Sequence, residues 1–437
     1  MKQKENRQNK ILKFKVSCLV LILGLSSFGC GSSTTVGGGR EVILNFWKPF
    51  EDSQNMQPLL DAYQQKHPNV RIVYTKKNIQ NYESDLLNSL ASGTGPDIYS
   101  INNSWLPKYL DKATSAPQAV FNVKDYKTTF VSVASQDFIR DNKIYGVPLA
   151  IDSLALYYNK DLLGSAGIAT PPKTWQELAV DVLKIKRQDR FGYFTRSGVA
   201  MGTNSNVNRA VDIVYLLMLQ KKVQAYSEDR TQATFSQSIE YKGNQVNPAE
   251  EGLNFYTSFA SPLSPNYNWN TNSDYSIDAF VNGRAAFLYS YAYTRATIAQ
   301  KSPNLNFDIA PVPQPNLEDP TVNYANYWGE VVSKQSKNAA VAWDFLKFIT
   351  SKEVLDKYYS TNKQPSSRND LISLQAGDPE IGVFATGNLT AKSFYKPDQT
   401  KIDDIFGKMI DNVILRGVKV PEAVNQATTE ASTVARE

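Results

Sequence analysis

The sequence predicts an α/β protein of two lobes, each built around its own sheet. Three observations carry that expectation. Strand and helix patterns alternate from residue 41 to residue 102, and the alternation restarts after an apolar stretch at residues 144–163. Beyond an N-terminal segment, about 400 of the 437 residues remain, too many for one ordinary core and suited to two.

The elements follow in order. "EVILNFW" (41–47) is β-rich and apolar and reads as a buried strand. A helix is expected from Met56 to Lys66, with Leu59, Leu60 and Tyr63 on one face and "HPN" ending it. "VRIVYTK" (70–76) alternates like a strand. Leu86, Leu87 and Leu90 then mark a helix that Gly93 and Gly95 stop before "DIYSI" opens a third strand. This is the βαβ rhythm of a mainly parallel sheet. After the 144–163 stretch, Thr174 and Glu177 form a capping box for a helix over 173–187, with Trp175, Leu178, Val182 and Leu183 facing inward. Residues 207–222 are apolar nearly all round and predict a central helix. A polar stretch (224–248), a helix (249–259), a long Asn-rich loop, the helix "IDAFVNGRA" and the strand "AAFLYSYAY" come next. "YWGEVVSKQSK" reads as a strand, "NAAVAWDFLKFITSKEVLDKYYS" as a helix pair and the tail as two more helices.

Residues 1–29 read as a signal sequence: a charged opening, the apolar run "VSCLVLILGL" (16–25) and then small residues. That run is too short to cross a bilayer, which takes about 20 residues. "SSFGC" resembles the lipobox of bacterial lipoproteins and implies acylation of Cys30, although Ser27 departs from its usual Leu; an ordinary cleaved signal is the alternative. "GSSTTVGGGR" then reads as a flexible tether over 30–40. Two or three acyl chains would hold the protein at a membrane surface.

The charge balance changes with the signal. The chain has 47 basic and 42 acidic residues; removing six basic and one acidic leaves 41 against 41. The pI of 8.8 therefore belongs to the signal, and no surface for nucleic acid is implied. With Cys18 in the signal and Cys30 at the tether, the fold has no disulfide and no thiolate metal site. His67 is the only histidine, next to Pro68 at a helix end, so it suits a solvated cation better than a general base. No G-x-S-x-G, Walker or zinc-type spacing is present.

"ASGTGPDIYSINNSWLPKYLDKA", "KIYGVPLAIDSLALYYNKDLLGSAGIATPPKTWQEL", "FVNGRAAFLYSYAYT" and "YWGEVVSKQSKNAAVAWDFLKFITSKE" together resemble the extracellular solute-binding proteins of ABC importers, in the sugar-binding branch that includes the maltose-binding protein. The resemblance covers essentially the whole chain after the tether. It implies a two-lobed periplasmic-binding-protein fold, with a ligand cleft between lobes joined by a multi-segment hinge. Lobe 1 would take residues 41–150 and 329–378, and lobe 2 residues 151–328 and 379–437. It also implies a monomer on the outer face of the cell membrane, with ABC permease subunits as partners, a carbohydrate as ligand, no cofactor and no enzyme activity.

A sugar has an apolar C–H face and a rim of hydroxyls, so its site needs flat aromatic platforms and polar side chains able to pair with hydroxyls. Tyr (24) exceeds Phe (20), which suits aromatic surface that tolerates water. Trp47, Trp105, Trp269, Tyr291 and Trp328 are the candidate platforms, because each lies at a strand end or in a loop. Trp175 and Trp343 lie in helical stripes and read as core. Asn103 is a polar neighbour of Trp105. Tyr291 stands where the family has a cleft tryptophan; Tyr289 and Tyr293 share its strand face and read as packed. Trp269 either covers the site or packs locally. Asp97 and Asn159 read as a turn former and a cap, and Arg368 as either a hydroxyl binder or a surface residue. Asp152, alone in an apolar run, reads from composition as an ion-pair member or turn former; the resemblance makes it a hydroxyl acceptor. Clustered tyrosines in "YSYAY" and "DKYYS" keep a ferric-iron ligand open as an alternative, as acids with aromatics do a polyamine. A tethered glycosidase or adhesin is more remote.

Overall fold

The computed structural model describes residues 41–437, which form one compact unit. The signal segment, Cys30 and the tether lie outside the described residues. In chain order the first sheet receives β1 (Val42–Lys48), β2 (Val70–Lys76), β3 (Ile98–Asn102), β4 (Ala113–Thr114) and β5 (Gly146–Val147). The second receives β6 (Ala155–Asn159), β7 (Arg187–Gln188), β8 (Phe194–Val199), β9 (Ala285–Ser290) and β10 (Phe307–Ala310). β11 (Trp328–Ser333) then returns to the first.

In the first sheet the order is β2-β1-β3-β11-β4, with β5 also paired to β11. β1 runs parallel to both β2 and β3, as the opening βαβ rhythm predicts. β11 lies antiparallel to β3. The second sheet, ordered β10-β6-β9-β8-β7, is mixed: β8 and β9 are parallel, but β6 is antiparallel to both of its neighbours.

Helices pack on these sheets where their apolar stripes predict. α1 (Ser53–Lys66) buries Met56, Leu59, Leu60 and Tyr63, and α2 (Ile79–Ala91) buries Tyr82, Leu86 and Leu90. α3 (Trp175–Ile185) carries the expected capping box, and Trp175, Leu178 and Val182 face inward. Leu183 does not; it is 45% exposed, one residue round from Val182. α4 (Ala210–Gln220) is buried on nearly every side. The late helix pair is α5 (Ala339–Ile349) and α6 (Lys352–Asn362). The tail holds two short helices, α7 (Asn369–Gln375) and α8 (Gly382–Asn388), before the two long ones, α9 (Gln399–Arg416) and α10 (Val420–Arg436).

Two large cores result. One joins Leu44 through Ile151 with Ala325 through Ile372, Ala385 and Ala391; the other joins Leu154 through Tyr324 with Phe394 through Ala431. The chain therefore changes core between Ile151 and Leu154, between Tyr324 and Ala325, and between Ala391 and Phe394. The second change comes slightly before, and the third after, the expected positions at 328/329 and 378/379. Hydrogen bonds lace the passages together. Leu154 N–H donates to Tyr324 O at 2.9 Å, Asn326 N–H to Asp152 O at 3.0 Å, and Asn388 Nδ2 to both Ile151 O and Ser366 O at 2.7 and 3.1 Å. Gly387 is required here, because a Cβ would collide with Asn323 and Ser153 from the other two passages.

Candidate ligand-binding cleft

A cavity of about 760 Å³ opens where the passages meet the carboxyl ends of the sheets, the place where α/β folds gather ligands. One wall comes from the turn after β1 and from the start of β11. Phe50 is 56% exposed and meets the Trp328 ring edge to face, with centroids 5.4 Å apart. Beside them lies a polar network, of which Lys48 and Glu51 also line the cavity. Lys48 pairs with Glu330, which accepts a bond from Ser100, and its ammonium lies 3.0 Å from Glu51. Glu51 in turn accepts from Tyr358 and, at 3.0 Å, from Gln364. Glu330 is fully buried, so this pairing is what makes its charge tolerable.

The opposite wall comes from residues 152, 209 and 291–296. The Ala292 N–H donates to both oxygens of Asp152, at 3.1 and 2.9 Å. Burial pushes the Asp152 carboxyl up to about 7, against the backbone bonds and the Arg209 charge that favour the ionised form. Arg209 opens α4 with a left-handed backbone (φ 59°, ψ 34°). Its Nε donates to Tyr293 Oη at 3.2 Å, and its guanidinium lies 5.5 Å from the Tyr291 ring centroid. Burial works against its charge, but Asp212 and the two tyrosines hold its pKa above the ordinary value. Tyr293 is 51% exposed and stacks parallel to Tyr291. At the rim Arg295 pairs with Glu380 at 2.5 Å and Lys363 with Asp378 at 2.8 Å.

Of the residues singled out from sequence, Asp152, Tyr291 and Trp328 line this cavity. Tyr291 does so from within the wall: it is 1% exposed and its hydroxyl donates to Asp212 at 2.8 Å. Tyr293, expected to be packed, is the exposed ring instead, because β9 ends at Ser290 and the turn at Ala292 re-aims the chain. Trp269 is core, 1% exposed, with its indole N–H donating to Asn206 at 3.2 Å; the Asn-rich loop folds back over Phe259 and does not cover the cleft.

Trp47, Trp105 and Asn103 lie outside the cavity lining. Trp47 sits under the Lys77 ammonium, 3.6 Å from its centroid. Trp105 stacks on Tyr109, meets the edge of Trp328 and donates to Gln399 at 2.5 Å. Asn103 donates to the buried Asp137 at 2.9 Å, which also accepts from Tyr327 at 2.7 Å and from Ser393. Arg368 forks onto Asp370 and donates to Thr350 O, all at 2.9 Å, in the first core's periphery. Asp97 and Asn159 have the structural roles expected of them: Asp97 accepts from Asn45 N–H at 2.9 Å, and Asn159 caps the helix Lys160–Ser165. The sequence reading missed Phe50, Arg209 and Tyr293. Only Phe50 carried a usable signal, since it too follows the carboxyl end of β1.

The tyrosines of the iron alternative do not converge. Tyr291 serves Asp212, Tyr358 serves Glu51 and Tyr359 donates to Leu149 O at 2.6 Å. Among the described residues no cluster of His, Cys, Asp and Glu is placed to hold a metal ion.

A profile described as bacterial extracellular solute-binding protein matches residues 47–355. The chain belongs to that family. The solute-binding protein is 23% identical over 380 residues to the maltotriose-binding protein of Pyrococcus abyssi, covering 85% of this chain and 76% of that one. It is 27% identical over 319 residues to the maltodextrin-binding protein MdxE of Bacillus subtilis, covering 64% and 69%. Its fold matches the cyclic α-maltosyl-1,6-maltose binding protein of Arthrobacter globiformis with a TM-score of 0.75 at 18% identity, over 91% of this chain and 99% of that one. The sugar-binding protein MalE of Xanthomonas citri matches with a TM-score of 0.73 at 20% identity, over 90% and 97%. The two-lobed α/β fold of this solute-binding protein is thus that of the family. Among the described residues no helix is long and apolar enough to cross a membrane.

Proposed function

We propose that the cleft captures a carbohydrate, a disaccharide or oligosaccharide, and that the protein delivers it to an ABC permease from the outer face of the membrane. The single observation that carries this is the composition of the cavity. The exposed rings of Phe50 and Tyr293 and the partly buried ring of Trp328 surround a partly exposed carboxylate, Asp152, that has no cationic partner at ion-pair distance among the described residues. Rings offer apolar faces to C–H surfaces, and a carboxylate accepts hydroxyls strongly. The cavity volume falls in the range of small-molecule sites and has room for more than one sugar ring. The sugar ligands named for the relatives support the same reading.

In this account the two cores are lobes that close on the ligand, and the three laced passages are the hinge. The protein acts as a monomer, held to the membrane by acylated Cys30, and performs no reaction. A thermal-shift screen of residues 41–437 tests it, with maltotriose, mannobiose and arabinotriose set against ferric citrate and spermidine. A ligand at 100 times its Kd stabilises by about 2.7 kcal/mol. Stabilisation by a sugar supports the reading; stabilisation by the iron salt or the polyamine alone overturns it.

A further inference from the structure

The free edge of the second sheet carries a feature that neither the cores nor the cleft use. β7 is the edge strand, and a short turn joins it to the antiparallel β8. At that turn Phe191 is 68% exposed and Tyr193 62% exposed. The neighbouring loop holds Leu263, 97% exposed, between Pro262 and Pro265. This loop is fixed to the hairpin. Lys186 Nζ donates to Pro265 O at 3.1 Å and to Tyr267 O at 3.0 Å, and the Tyr267 and Phe194 rings meet edge to face with centroids 4.9 Å apart.

Positive charge gathers at the same place. Residues 184–196 contain five cations, Lys184, Lys186, Arg187, Arg190 and Arg196, against one acid, Asp189, in a chain balanced at 41 against 41 after the signal. Lys184 pairs with Asp181 at 3.0 Å; among the described residues the other four have no carboxylate at ion-pair distance. Arg187 donates instead to Lys184 O and Lys186 O, at 2.7 Å each, and Arg190 lies over the Phe191 ring, 4.6 Å from its centroid. Asp189 is occupied within the turn, where its Oδ1 accepts from Phe191 N–H at 2.8 Å and from Tyr193 N–H at 3.0 Å.

Cations alone would be an ordinary guard against edge-to-edge pairing of strands. Exposed rings are not, because on an edge they invite the association that the cations discourage. Rings among cations suit an anionic bilayer, whose interface takes aromatic side chains at the headgroup level and whose charge attracts Lys and Arg. The backbone suits it too. Apolar surroundings penalise every N–H without a partner, but those of Phe191 and Tyr193 are held by Asp189, Gly192 N–H donates to Asp189 O at 3.1 Å, and Pro262 and Pro265 have none.

We propose that the β7–β8 turn and the Leu263 loop form a membrane contact of their own. Phe191, Tyr193 and Leu263 enter the interface of an anionic bilayer, and Arg187 and Arg190 meet its phosphates. This goes beyond sugar capture and rests only on the outer-face location proposed above. With Cys30 acylated, ten residues, 31–40, separate the lipid from the body, at most about 35 Å of extended chain. The bilayer therefore stays close. The acyl chains retain the protein, and the hairpin orients it.

Vesicle sedimentation of residues 41–437, which hold both cores and no acylation site, tests the proposal. Vesicles of phosphatidylcholine with phosphatidylglycerol should bind at least tenfold more tightly than phosphatidylcholine alone, and release the protein at about 1 M salt, where the Debye length falls to about 3 Å. Phe191→Ser with Tyr193→Ser should weaken binding to the anionic vesicles at least tenfold, as should Arg187→Gln with Arg190→Gln. All four side chains are exposed and lie outside the cleft lining, so the unfolding midpoint and sugar affinity should stay at their wild-type values. No binding to anionic vesicles, or binding within twofold of wild type in either pair, would overturn the inference and leave the sugar reading standing. Loss through the arginines alone, with inorganic polyphosphate competing, would mark a polyanion site and not a membrane contact. The anchor is read separately, by the mass of the peptide that begins at Cys30 in the full chain; an unmodified Cys30 overturns the anchor and not this contact.

Discussion

The two walls of the cleft solve opposite problems. The wall at Phe50 and Trp328 pairs its charges with one another, one lysine between the two carboxylates of Glu330 and Glu51, and shows the cavity two aromatic rings. The wall at Asp152 and Arg209 keeps its charges apart and shows the cavity an acceptor and a donor. The first wall is suited to stacking and the second to hydrogen bonding. A stacking wall can be stable without ligand, whereas a hydrogen-bonding wall is completed only by ligand. Stability and affinity should therefore respond differently to mutation on the two sides.

The largest effect is expected within the first wall. Lys48→Met leaves the buried carboxylates of Glu330 and Glu51 without their cation and should cost about 3–5 kcal/mol of stability, read as a lower midpoint in denaturant unfolding. Next comes Trp328→Ala, which removes a platform and should cost about 2 kcal/mol of sugar affinity in calorimetry.

The second wall should respond to pH. Burial raises the Asp152 pKa from 3.8 to about 7. The folded state therefore holds this proton more tightly than the unfolded one. The contribution is favourable below about 4 and is lost as pH rises through about 7. A ligand hydroxyl that donates to the carboxylate favours its ionised form, so sugar affinity should rise as pH rises through about 7, by roughly tenfold for each pKa unit that binding shifts. Titration of sugar binding from pH 5 to pH 8 checks this, and Asp152→Asn should flatten the profile. Arg209 and Tyr157 are the charged or titratable neighbours that share the Asp152 field, and neither changes charge in that window. Asp137, also raised by burial, to about 6, does not itself line the cleft but accepts from Tyr327, which does, so Asp137→Asn is the control that separates its titration from that of Asp152. The smallest effect belongs to neither wall: Arg368→Ala loses a partly exposed pair with Asp370 and one carbonyl contact. It should cost about 1 kcal/mol of stability and leave affinity unchanged.

The same contrast explains what could be read in the sequence. α3 was legible to the residue at its start, because Thr174 and Glu177 signal it locally. So were the parallel strands β1 to β3, whose alternation and flanking helices repeat within sixty residues. Trp328 and Phe50 follow a rule of strand ends, and that rule also pointed at Trp47, which turned out to lie under Lys77. The second wall was nearly silent. Asp152 stood out only as a charge in an apolar run, and nothing in "VNRAVD" shows that Arg209 takes a left-handed backbone, since that depends on Ser276 and Ser290 far along the chain. Tyr291 and Tyr293 exchange roles because β9 stops at Ser290, a boundary set by the Ala292 N–H turning toward Asp152. Trp269 is buried with its indole N–H on Asn206, which is 63 residues away and carries no local signal.

The central claim is that one carbohydrate touches both walls at once. A double-mutant cycle in calorimetry, with Trp328→Ala, Asp152→Ala and the pair, against the sugar that best stabilises residues 41–437, tests it most directly. The account predicts that each single variant weakens binding by tenfold or more while the unliganded fold stays intact, and that the pair abolishes measurable binding. Full affinity in the pair would contradict it.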